Sequence, residues 1–103
     1  MATIKKAIAA LNDAITIDVP TDQPCLASVQ LPAGWAGTVV VEATLDDVNW
    51  VALGLTPVAG GASVALITAA GIWTAAVGAF EKVRARVSVA GAGGIAALSV
   101  SKY

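Results

Sequence analysis

Histidine is absent from this 103-residue chain, and cysteine occurs once, at Cys25. Without histidine the chain lacks the commonest general base and the commonest metal ligand. A single cysteine allows neither an internal disulfide nor a thiolate metal cluster. Cys25 reads as a small apolar residue of a strand rather than as a reactive thiol. Charge is scarce too: charged residues make up 13% and the formal net charge is −1. Such a balance offers no field to draw in nucleic acid or an anionic membrane surface. No cofactor is expected, no catalytic constellation stands out, and an enzyme is the weakest reading.

What the chain does have is apolar residues, 57% of the total, many of them Ala and Val. Low charge with high apolarity defends a monomer poorly against association, so we expect a surface covered by copies of the chain or by a larger assembly. No charge occurs between Asp47 and Glu81, and Ala62 to Phe80 is long enough to cross a bilayer as a helix. Gly71 and Gly78 break that stretch, and no lysine or arginine cluster flanks it; no membrane partner is expected. The N-terminus, where a weakly apolar stretch without a cleavage site follows Lys5 and Lys6, does not read as a signal peptide.

The most informative stretch is Gly37 to Trp50, GTVVVEATLDDVNW. Its β-branched run fits a pleated surface, and Asp46-Asp47-Val48-Asn49 can bond back to the backbone in a turn. Trp50 to Leu53 then reads as the second arm of a β-hairpin. Ala14 to Val19 and Cys25 to Leu31 alternate apolar and polar residues, as half-buried strands do. In Glu81 to Val89 the alternation sets Val83, Ala85, Val87 and Val89 against Lys82, Arg84, Arg86 and Ser88. Short strands are also expected over Ala62 to Ile67, from Ile72 to Val77 after Gly71, and from Ile95 to Val100. Met1 to Leu11 reads as a short helix, with Ile4, Ile8 and Leu11 on one face, as an arm reaching a neighbouring subunit, or as a frayed terminus. About eight short strands with regular turn signals predict an all-β, antiparallel, jelly-roll-like β-sandwich. The domain spans 14–103, preceded by an arm over 1–13.

Candidate sites follow from this layout. Glu42, outward-facing on the central strand, is expected to pair across strands with Arg84 or Arg86. The cationic row could instead be a binding stripe, but no aromatics interleave it and nucleic acid is not an expected partner. Asp46, Asp47 and Asn49 resemble a piece of a calcium loop, yet lack its glycine and distal glutamate; a turn held by side-chain-to-backbone bonds explains them, and no metal site is expected. Trp35, Trp50 and Trp73 could stack on sugars if they shared one open face, or cap the end of the core. The expected interface residues are Ile4, Lys5, Lys6 and Ile8 of the arm, with Trp35 and Trp73.

Taken whole, the order LNDAITIDV, SVQLPAGWAGTVVVEATLDDVNWVAL, TAAGIWTAAVGAF, EKVRARVSV and IAALSVSKY resembles small β-sandwich structural proteins of tailed-bacteriophage virions. The resemblance runs from about Leu11 to the C-terminus. It rests on the strand, acidic turn and tryptophan of Val39 to Trp50 and on the basic strand Lys82 to Val89. Val48 stands where such turns place a glycine. The resemblance implies a head-decoration (cement) or tail-associated subunit, made in the host cytoplasm and located in the virion. It implies the major capsid protein or another virion protein as partner, and self-association as a homo-oligomer. The rival expectation is a carbohydrate-binding sandwich that uses exposed tryptophans.

Overall fold

The computed structural model describes residues 2–20, 25–77 and 80–102. Nine strands run in chain order among the described residues: β1 (Ala2–Ile8), β2 (Ala14–Asp18), β3 (Cys25–Leu31), β4 (Thr38–Thr44), β5 (Trp50–Ala52), β6 (Thr56–Pro57), β7 (Gly71–Ala76), β8 (Lys82–Val89) and β9 (Gly94–Lys102). They form two antiparallel sheets, β1-β9-β3-β7-β6 and β2-β8-β4-β5. Without the two-residue β6, the chain winds back and forth between the layers in the eight-strand order of a jelly roll. The all-β antiparallel sandwich expected from the sequence is what the chain forms.

The alternation in the sequence sets the layers. Cys25, Ala27, Val29 and Leu31 of β3, with Ala96, Leu98 and Val100 of β9, face Ile15, Ile17, Val39, Val41, Val83, Ala85 and Val87 of the other sheet. Most of these side chains are small, so the core is a thin layer closed at its side by Leu55 and Ile67. Strand β4 is buried on both faces from Val39 to Thr44. Its inner residues meet the core, and its outer ones lie beneath side chains of β8 and β5.

The N-terminal helix is a misreading. Residues Ala2–Ile8 form an edge strand paired antiparallel with β9 along its whole length, from Ala2–Val100 to Ile8–Gly94. β1 is therefore the first strand of the jelly roll, and a boundary after residue 13 falls inside the fold; Met1 lies outside the described residues. The strand ends in a turn where the Asp13 carboxylate accepts the backbone N–H groups of Ala9 and Ala10. Asn12 there takes a left-handed conformation, φ 69°, which Asn tolerates better than most residues.

Ala62 to Ile67 is also not a strand. Val64 exchanges two 2.7 Å backbone hydrogen bonds with Leu55, and Ile67 exchanges two of 2.9 Å with Val39; no ladder continues beyond these single bridges. At the same end of the sandwich two loops cross very closely. Gly37 lies at φ 104°, and a Cβ on Gly91 would sit 2.6 Å from the Ala36 carbonyl oxygen and from the Gly37 nitrogen. Glycine is required there by contact.

Candidate functional site

The outer face of the four-stranded sheet is closed by its own polar groups. Antiparallel register sets Glu42 of β4 directly opposite Arg84 of β8. The Glu42 carboxylate accepts 2.9 Å bonds from the Nε groups of both Arg84 and Arg86. A longer bond of 3.4 Å comes from Arg86 Nη2. Arg86 Nη1 reaches Asn12 Oδ1 at 3.1 Å, tying the β1–β2 turn to the network. The Arg84 guanidinium lies over the Trp50 ring, its Cζ 3.9 Å from the centroid, a cation–π arrangement. Glu42 is only 9% exposed, and burial by itself would raise its pKa. Hydrogen bonds from Arg86 and Arg84, together with their charges, outweigh that and hold the carboxyl below its ordinary value. Lys82 continues the row and pairs with Asp47 at 3.2 Å.

The hairpin tip is held by Thr44 and Asp46. Asp46 Oδ1 accepts the backbone N–H groups of Val48 and Asn49 at 2.9 and 2.8 Å. Its Oδ2 takes the Asn49 amide at 2.8 Å. The N–H donors of Asn49 and Val48 hold this carboxyl far below the usual carboxylate range. The buried Thr44 hydroxyl lies 2.7 Å from the Asn49 carbonyl and accepts the Asp47 N–H at 3.0 Å. The left-handed residue of this turn is Asp47, φ 63°, so Val48 does not occupy a position that demands glycine. Among the described residues no group of three or more His, Cys, Asp or Glu is placed to hold a metal ion. No helix among them is long and apolar enough to cross a membrane.

The five-stranded sheet presents the opposite kind of face. Its outward positions include Thr3 and Lys5 of β1, Ile95, Ala97 and Ser99 of β9, Leu26, Ser28 and Gln30 of β3, and Ile72 and Thr74 of β7. Small, uncharged side chains prevail. Of the expected interface residues, Ile4, Lys5 and Lys6 are exposed, and Lys6 Nζ donates to the Ala14 carbonyl at 3.1 Å. Ile8 is 1% exposed and belongs to the core, so it offers nothing to a neighbour. Trp35 is likewise core, 7% exposed, and its Nε1 is buried without a hydrogen-bond partner among the described residues. Trp73 is half-buried against the core.

The three tryptophans therefore do not share an open face. Trp35 is enclosed, one face of Trp50 is taken by Arg84, and Trp73 projects inward from β7 opposite Val29. A sugar-stacking platform would need what this arrangement lacks. Sequence reasoning paired Glu42 with Arg84 or Arg86, and the carboxylate takes both. It missed the Arg84–Trp50 stack, which follows from register, since Thr44 pairs with both Trp50 and Lys82 and so sets Trp50 near the cation row. It also missed Thr44, two residues before the turn aspartate.

Comparison with known proteins finds a match in fold and none in sequence. No protein-family model matches the chain, and no curated protein matches it. In structure it is similar to the SPBc2 prophage-derived protein YomS, known from a crystal structure, with a TM-score of 0.62. The match covers 98% of this chain and 96% of that one at 14% sequence identity. The two chains share one fold from end to end.

Proposed function

We propose that this protein is a non-enzymatic structural subunit of a bacteriophage virion. In this reading it is a decoration or cement subunit on the capsid surface or tail. It stabilises the particle by burying uncharged surface against the major capsid protein or another virion protein. The observation that carries the reading is the end-to-end fold match to a prophage-derived protein. Jelly rolls serve both viral capsids and lectins, and function belongs to sites rather than folds. The site geometry supports the structural reading. The charged side chains of one sheet are spent on holding that sheet together, and the tryptophans form no sugar platform.

The test uses particles assembled by the encoding genome with this gene deleted. Purified protein added back should pellet with the particles, saturate, and raise the temperature at which they release DNA. Protein that stays in the supernatant at every concentration sinks the proposal.

A further inference from the structure

Register across the five-stranded sheet aligns its outward side chains in rows. Thr3 pairs with Ser99, Ser99 with Ser28, Ser28 with Thr74, and Thr74 with Thr56, so one row of hydroxyls crosses all five strands. Thr3 Oγ1 and Ser99 Oγ are hydrogen-bonded at 3.1 Å. The next row reads Lys5, Ala97, Gln30, Ile72. Between the two rows lies a shallow hollow of about 280 Å³ floored by Ser28, Ala97 and Ser99. Ile72, 42% exposed, stands proud at its side. Among the described residues, Lys5 on the edge strand is the only charged side chain at these outward positions.

We propose that this face binds the same face of a second copy of the chain. The two-fold axis runs along the middle strand β3, in the plane between the copies. A hydroxyl both donates and accepts, so a row of hydroxyls complements itself, whereas a row of one charge repels itself. Rotation about β3 keeps each row opposite itself and reverses the strand order. Ser28 then faces Ser28, Ser99 faces Thr74, and Thr3 faces Thr56. In the next row, Ile72 of each copy sits over Ala97 of the other and fills its hollow. Lys5 falls at the rim, where its ammonium stays in water.

The area is sufficient. Five strands about 4.8 Å apart, averaging about six residues at about 3.3 Å each, give a footprint of roughly 500 Å². Two such faces bury about 1,000 Å², the lower bound for a specific interface, which corresponds to a modest affinity. The inference stands on the sheet face alone and does not rest on a place in the virion.

Sedimentation velocity at about 100 µM, above the micromolar Kd that a small interface supports, tests it. The wild-type chain should sediment as two chains of 10.2 kDa each. Ser28→Lys, which sets two ammonium groups against each other on the axis, should sediment as one, and so should Ile72→Lys. Ala52→Lys, on the other sheet, should remain a dimer. Circular dichroism establishes that each variant is folded; should Ser28→Lys fail to fold, Ile72→Lys gives the answer. A monomeric wild-type chain, a dimer that survives either folded substitution, or equal loss of the dimer in Ala52→Lys overturns the proposal.

Discussion

Replacing Glu42 by glutamine removes one charge from the centre of the outer network while keeping its shape. Two arginines then lose their shared counter-ion, and two 2.9 Å ion-pair bonds become at most bonds with a single charged partner. Exposed ion pairs contribute about 0–1 kcal/mol, and breaking a fully buried pair costs about 3–5 kcal/mol. Glu42 is buried, but the two arginine side chains keep about a quarter of their exposure, so water recovers part of the loss. We expect about 2 kcal/mol for Glu42→Gln and about 3 kcal/mol for Glu42→Ala, which also loses packing. For a domain of this size that lowers Tm by roughly 8–16 °C in the glutamine variant, measured by thermal and urea unfolding near pH 7. The pH dependence follows with a definite sign. The folded pKa of Glu42 lies below its ordinary 4.5, so its contribution is complete above that value and is lost as pH falls through the folded pKa. The wild-type advantage over Glu42→Gln should therefore shrink below about pH 4.5. A glutamine variant within about 0.5 kcal/mol of wild type at neutral pH would refute the reasoning and make the network a solvated ornament.

Thr44→Val should cost about 1–3 kcal/mol in urea unfolding, because it strips partners from the Asp47 N–H and the Asn49 carbonyl in a partly buried turn. Trp35→Phe should stay within about 1 kcal/mol of wild type, since it removes the orphaned buried N–H as well as some volume, whereas Trp35→Ala should cost about 3–5 kcal/mol. Gly91→Ala should cost about 2 kcal/mol or more in the same assay, because its methyl group meets backbone atoms of Ala36 and Gly37 rather than a side chain able to move.

The sequence exposes the parts of this fold that are local. Strands β3 and β8 alternate strictly, which writes both of their faces into the chain. The hairpin turn is legible in Asp46 and Asn49 because those side chains act on backbone within three residues. Glu42 was identifiable because it is the single acidic residue on a central strand facing a cation row. The N-terminal strand was not legible, and the reason is physical. Ile4 and Ile8 are four residues apart, a spacing that shares a face in a helix and in a strand alike. The decision comes from β9, more than eighty residues away. Ala62 to Ile67 has strand-like residues but finds partners only at Val64 and Ile67. Trp35 lies in a loop that meets the 91–93 loop through the Ala36 N–H bond to the Ala92 carbonyl, a contact between segments more than fifty residues apart. The hydroxyl row required four independent pairings to be in register, and no single stretch contains it.

The functional claim is that the chain is a repeated building piece of a particle. Quantitative mass spectrometry of purified virions from the encoding genome measures this directly. The chain should be among the abundant proteins, in a simple whole-number ratio to the subunit it sits on. Its absence from intact particles, or a trace far below any structural protein, would contradict the account.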